Sequence, residues 1–312
     1  MTTPLHLDPR IVDAVGVVTL TAAGHRFDLA PGAPAVMGIV NTNPGSFSDR
    51  VHLASTAAQY DLAMAQVEAG AAIIDVGTDS GVAYGDPIAL DTQIRRAVPL
   101  VRRLVAAGVP VSVDTPFVEV ATAVLAEGAA LVNDVSGLAD PAIARACAAH
   151  DAALVILHTR VPHKQEAFLV YDDVVADVES LFDERIDVAL GEGLTADRIV
   201  LDPGLGYAKR PEDDLSVLRA YPTFAARGSA ILTGASRKYY AGVITSAAPP
   251  DRLPETLATV ETVRAFPGFV RVHDVDAVSR YLAVRETLDG RRVLPAYDTS
   301  DPSLKWVASG RR

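Results

Sequence analysis

The chain has 312 residues, of which 49% are hydrophobic and 21% charged, and a formal net charge of −11. Those values suit one large globular domain with a substantial core. The acidic balance argues against nucleic acid or an anionic membrane as the main partner, while local basic residues still permit an anionic substrate. The single cysteine, Cys147, excludes an internal disulfide, and its setting "IARACAAH" reads as a small helix-core residue. No charged-then-apolar leader opens the chain and no uninterrupted run of about 18 apolar residues occurs, so a cytoplasmic protein is expected.

In chain order, residues 1–34 carry "VGVVTLTAAGHRFDLA", two alternating segments around Ala-Gly that predict a hairpin capping one end of the domain. Eight short apolar runs then recur. They are "AVMGIVN" ending at Asn41, "AAIIDVG" with Asp75, "VPVSVDT" with Asp114, "ALVNDVSG" with Asn133, "ALVILHT" with His158, "IVLDPG" with Asp202, "AILTGASRK" with Lys238, and "FVRVHDV" with Arg271 and His273. Four of the intervening segments finish in a glycine, at Gly70, Gly108, Gly128 and Gly228, as a helix stop would. Ala58, Leu62, Ala65 and Ala69 predict the buried face of the helix after the first run, and Ile94, Val98, Val101 and Val105 that of the next, with a kink at Pro99. The longest helical stretch, about residues 171–192, opens on an acidic turn suited to a helix N-terminus. Eight helix–strand repeats predict an α/β fold, a single-domain (β/α)8 TIM barrel over residues 35–290, with the N-terminal hairpin before it and a polar tail over 291–312 carrying Trp306.

In such a barrel the polar residues at strand ends converge on one mouth. Asp202, followed by two glycines in "LDPGLGYAK", offers a buried carboxylate for a guanidine-like edge of a heterocycle, or else simply opens a Pro-Gly turn. Ser236, Arg237 and Lys238 suit an anionic or carbonyl-rich ligand, or a solvated loop. Arg271 and His273, two residues apart, point the same way from a strand and form either an oxyanion clamp or an ion pair with Asp274 or Asp276. Asp114 and Asn133 end neighbouring strands; Asp134 is then left for a local turn. A lone strand-end histidine such as His158 is more often a hydrogen-bonded core residue than a catalyst. No cluster has protein-metal spacing; any metal would be Mg²⁺ carried by substrate phosphates, with Asn41 as an oxygen ligand.

Taken together, "MGIVNTNPGSFSD", "GAAIIDVG", "VSVDT", "LVNDVSG", "LDPGLGYAK", "LTGASRK" and "RVHDV", in that order over about residues 35–285, closely resemble the dihydropteroate synthase family. The resemblance implies a transferase of folate biosynthesis. Such an enzyme joins 6-hydroxymethyl-7,8-dihydropterin pyrophosphate to para-aminobenzoate and releases pyrophosphate, and the family commonly forms homodimers. By that resemblance Asp114, Asn133, Asp202 and Lys238 line a pterin pocket and Arg271 packs on the pterin face. Asn41, Arg271 and His273 handle Mg²⁺ and pyrophosphate. Ser236 and Lys238 lie beside the aminobenzoate, near Tyr207, which stands where the family usually has Phe; Asp75 and Arg237 complete the expected substrate contacts.

The departures concentrate in two loops. Thr42, Asn43 and Gly45 alter the segment after the first strand, and Gly81-Val82 stand where the family has Thr-Arg; Thr159 replaces a Met after His158. If that lost arginine is compensated, Arg160 and Arg237 are the candidates. Two other readings stay open: a diverged paralogue that keeps the pterin or pyrophosphate pocket and uses another nucleophile, and a non-catalytic pterin-binding protein.

Overall fold

The computed structural model describes residues 16–42, 55–79, 88–165 and 167–298. A hairpin of β1 (Val18–Ala22) and β2 (His25–Leu29) precedes eight parallel strands. These are β3 (Ala35–Asn41), β4 (Ile73–Gly77), β5 (Val111–Asp114), β6 (Leu131–Asp134), β7 (Ala153–Leu157), β8 (Ile199–Asp202), β9 (Ala230–Gly234) and β10 (Gly268–Val272). They close into a barrel in the order β10-β3-β4-β5-β6-β7-β8-β9, as the sequence predicts. Ten α-helices are found among the described residues: α1 (Thr56–Glu68), α2 (Leu90–Ala106), α3 (Val118–Leu125), α4 (Ala142–Ala149), α5 (Val174–Gly191), α6 (Pro211–Arg219), α7 (Tyr221–Ala225), α8 (Tyr239–Thr245), α9 (Leu253–Val263) and α10 (Val275–Leu288).

The hairpin turns at Ala23 and Gly24, both at positive φ, and seals the N-terminal end of the barrel. Leu20, Ala22 and Leu29 join the barrel's interior residues Met37, Ile73, Leu131, Val155, Val200, Leu232 and Phe269 in one apolar cluster, and Phe27 meets Phe269 edge to face. A second, larger cluster lies between the strands and the helix shell and includes Cys147. The helix stops at Gly70, Gly108, Gly128 and Gly228 all take the left-handed conformation. Asp173 caps α5 through Val175 N and Ala176 N.

Helix α1 departs from the expected face. It buries Gln59, Ala63 and Gln66, whereas Leu62 and Ala65 are exposed. Apolarity loses here because Gln66 Nε2 donates to the Ile39 carbonyl at 3.0 Å, in space left open by Gly38. In α2 the buried set is Gln93, Ala97, Leu100, Val101 and Leu104, so of the predicted stripe only Val101 is fully buried, and the helix continues through Pro99. The C-terminal segment with Trp306 lies outside the described residues.

Candidate active site

The site grows out of strand alternation. On β4, β6, β8 and β10 the inward-facing side chains Ile73, Leu131, Val200 and Phe269 are apolar. Two residues further along, on the same face, stand Asp75, Asn133, Asp202 and Arg271. A polar ring therefore sits one layer above the apolar plug, at the strands' C-terminal ends.

On one side of the mouth Arg271 donates from Nε to Asp75 Oδ2 at 2.6 Å and from Nη2 to Asp114 Oδ2 at 2.9 Å. Its ion-pair partners are thus Asp75 and Asp114, not Asp274 or Asp276. Ser112 Oγ donates to Asp75 Oδ1, and Asn133 Nδ2 donates to Asp75 Oδ2 at 3.3 Å. Asn133 Oδ1 is buried and finds no hydrogen-bond partner among the described residues. Burial opposes the charge on Arg271, but Asp75 and Asp114 outweigh it and raise its pKa further. Burial lifts Asp114 to about 7 against the pull of Arg271. Asp134 faces the other way and closes a turn by accepting from Ser136 N, Ser136 Oγ and Leu138 N.

Across the mouth, the Asp202 carboxylate ends β8 with Oδ1 accepting from Gly204 N at 2.8 Å. Burial raises its pKa, while Gly204 N–H, Lys238 and Lys209 favour the charged form. Lys238 Nζ donates to the Leu205 carbonyl at 2.6 Å and lies 5.5 Å from the Tyr207 ring centroid. Burial lowers the Lys238 pKa and raises that of Tyr207. His158, fully buried, sits between Asp177 and Lys209, each at 2.7 Å. It is the hydrogen-bonded core residue expected of a lone strand-end histidine.

The adjacent residues after β9 part company. Ser236 Oγ lies 2.9 Å from His273 Nδ1. Arg237, in the left-handed region at φ 57, turns away from Lys238 and donates from Nη2 to both Asp274 oxygens at 3.0 and 3.1 Å. Burial, with Arg237, Arg271 and Lys238 nearby, pushes His273 down to about 3, so near neutral pH it is an uncharged hydrogen-bonding group beside Arg271. Arg160 also has a carboxylate partner, Asp177, at 2.9 Å.

Asn41 ends β3 opposite Gly77, where an added Cβ would lie 2.2 Å from Asn41 Oδ1. Among the described residues no group of three or more His, Cys, Asp or Glu is arranged to hold a metal. A Mg²⁺ that keeps its waters and arrives on a pyrophosphate needs only one or two protein oxygens, and the Asn41 amide fits that requirement. Thr42 donates twice, from N and Oγ1, to Gly77 O. The other altered loop positions, Asn43, Gly45, Gly81 and Val82, lie outside the described residues.

Two features of the mouth carry no signal in the sequence pattern. Asp79, nearly buried, pairs with Lys164 Nζ at 2.6 Å and has His163 Nε2 at 3.8 Å; these partners depress its carboxyl against the effect of burial. Lys209, part of the quoted "LDPGLGYAK", is itself buried beneath the Asp202 turn, and Asp177 approaches from α5. No local pattern marks Asp177 or Lys164, because their partners are far away in sequence.

The model of the family described as pterin binding enzyme matches residues 37–273. The chain belongs to this family. The dihydropteroate synthase of Mycobacterium leprae is 37% identical over 287 residues, covering 87% of this chain and 96% of the relative. A Xanthomonas albilineans dihydropteroate synthase solved with 4-aminobenzoic acid superposes with a TM-score of 0.80 at 33% identity, covering 88% of this chain and 98% of the other. The same organism's enzyme in complex with 7,8-dihydropteroate gives 0.76 at 34% identity, with 87% and 98% covered. Within the family this is a dihydropteroate synthase-like transferase, an enzyme of the folate-building condensation.

Proposed function

We propose that this site binds 6-hydroxymethyl-7,8-dihydropterin pyrophosphate at the polar ring and para-aminobenzoate nearer the mouth. The observation that carries the reading is the pairing of two buried acceptors on different strands, the Asp202 carboxylate and the unpartnered Asn133 Oδ1. Together they suit a flat bicycle with a guanidine-like row of N–H donors. Arg271, held flat by Asp75 and Asp114, offers a guanidinium face on which that bicycle stacks.

In the reaction the amine nitrogen's lone pair forms a C–N bond to the exocyclic methylene of the pterin. The C–O bond breaks, its electron pair leaves on pyrophosphate, and the amine's surplus proton passes to solvent or to the departing phosphate. Fixed charges lower the barrier by meeting charge that develops at both ends. Asp202 favours positive charge on the pterin; Lys238 lies beside the arylamine, with Ser236 and Tyr207; His273 donates a hydrogen bond to pyrophosphate as a neutral ring. Asn41 would hold Mg²⁺, which when bound offsets the negative charge of pyrophosphate. Arg237 supports the site through Asp274 rather than by contact with substrate.

No helix among the described residues is long and apolar enough to cross a membrane. A homodimer is supported by an apolar surface on α8, where Tyr239, Val243 and Ile244 are 53%, 53% and 63% exposed and Phe168 packs beside Tyr239. Light scattering at twice the chain mass is the expected result.

The deciding assay supplies the pterin pyrophosphate, Mg²⁺ and para-aminobenzoate. Formation of dihydropteroate is expected. Saturable pterin binding without product would instead favour the diverged paralogue or the non-catalytic binder.

A further inference from the structure

Beneath the Asp202 turn lies a line of polar groups that the chemistry above does not use, half-buried at Asp177 and fully buried at His158 and Lys209. It starts at the edge of the barrel, where Asp177 Oδ1 accepts from Arg160 Nε at 2.9 Å and from His158 Nε2 at 2.7 Å. On the other side of the imidazole, Nδ1 accepts from Lys209 Nζ at 2.7 Å. The Asp177 carboxylate has only lone pairs, so Nε2 carries the His158 proton and Nδ1 is left to accept from Lys209, whose own pKa burial lowers to about 7. Burial first, and then the Lys209 charge, hold His158 near 3 and keep the ring neutral.

The remaining Lys209 Nζ protons are shared among three backbone carbonyls. Gly204 O lies at 3.0 Å, and the His158 and Tyr207 carbonyls at 3.3 Å each. Gly204 takes φ +71, and a Cβ there would lie 2.1 Å from His158 O, so the turn is pressed against β7 and leaves room for the lysine head. The same glycine's N–H grips Asp202 Oδ1 at 2.8 Å. One end of the Gly204 residue is therefore held by Lys209 and the other orients the carboxylate.

We propose that Lys209, aligned by His158 and Asp177, is a positioning residue that aims the Asp202 carboxylate at the heterocycle. This rests on the pterin reading of the site and adds to it the group that sets the geometry of its main acceptor. Lys209 touches no substrate. Its effect should fall chiefly on the pterin, since Gly204 links Lys209 directly to Asp202, whereas Lys209 meets the arylamine side only through the Tyr207 backbone carbonyl.

The test compares Lys209→Met and Asp177→Asn with the unaltered full chain. It uses calorimetric titration with the pterin pyrophosphate and Mg²⁺ at a temperature well below each variant's melting point, and steady-state kinetics with both substrates. Misplacing a recognition group by about 1 Å costs on the order of 100-fold, so Lys209→Met is expected to weaken pterin binding about 10- to 100-fold. The outer substitution Asp177→Asn should weaken it about three- to tenfold, because its amide oxygen still accepts from His158 Nε2. The KM for para-aminobenzoate should stay within about twofold, and in an Asp202→Asn background Lys209→Met should add less than about twofold, as coupled partners do. Pterin affinity within twofold of the unaltered protein, equal losses for both substrates, or an undiminished Lys209→Met effect in the Asp202→Asn background would each overturn the proposal. If Lys209→Met does not fold, Asp177→Asn decides by the same criteria. Failure of the unaltered protein to bind the pterin is a different result, visible before any variant is compared, and overturns the functional reading itself.

Discussion

At the lower end of the barrel Ile73, Leu131, Val200 and Phe269 pack against an apolar hairpin; two residues further along the same strands Asp75, Asn133, Asp202 and Arg271 face the mouth. The lower layer is held by burial and needs only the right volume. In the upper layer, charges taken out of water must be matched atom by atom. The matching differs across the mouth. Arg271 is clasped by two carboxylates, whereas Asp202 is held mainly by a backbone N–H, with its neighbouring lysines turned to carbonyls. Arg271 is thus committed before ligand arrives, and Asp202 keeps capacity for one.

Substitutions at the two layers should separate stability from recognition. The largest effect is expected for Asp202→Ala, which leaves the ligand's buried donors without their carboxylate. Pterin affinity should fall on the order of 10⁴-fold, about 5 kcal/mol, while the melting temperature holds or rises, because a desolvated carboxylate has been removed. Retained affinity by calorimetry would place the pterin elsewhere. Arg271→Met should damage both properties, since Asp75 and Asp114 are left buried without their cation; a stability loss of about 3–5 kcal/mol is expected in urea titration, along with lost turnover. Phe269→Ala sits on the same strand two residues earlier and should cost about 3–4 kcal/mol of stability while leaving the pterin dissociation constant of the remaining folded protein unchanged. A shift in that constant would show that the layers are not independent.

The shallowest effect, spread over several pH units, concerns protons. His158 and His273 both lie near 3 in the folded protein, below the ordinary value of 6.5. Between pH 3 and 6.5 the unfolded chain therefore binds the extra proton. The associated stability is fully present above 6.5 and is lost as pH falls towards 3, by up to about 1.4 kcal/mol per pH unit for each ring. His158→Gln should flatten the acid limb of a urea midpoint-versus-pH curve by one proton's worth. An unchanged slope would mean that His158 titrates normally.

Much of this was legible before any coordinates. Eight short apolar runs with polar ends, and glycine helix stops between them, were enough for an eight-stranded barrel, because each run and the stop before it mark one repeating helix–strand unit. Their place at strand ends put Asp75, Asn133, Asp202 and Arg271 at one mouth, and the ordered motifs pointed to the family. The α1 face was misread because Gln66 is polar in composition yet is drawn inwards by one unmet carbonyl, that of Ile39, which no helical periodicity reports.

What the chain alone determined, then, was which residues face the mouth. Only the tertiary structure decided what each of them does there: that Arg271 answers to Asp75 and Asp114, that Arg237 leaves its neighbour for Asp274, and that Lys209 and Asp177 reach each other through His158. The physical reason is range. Alternation and turn chemistry act over a few residues, whereas the partner of a buried charge is chosen by proximity in the closed barrel, where Arg271 and Asp75 meet across 196 positions of sequence.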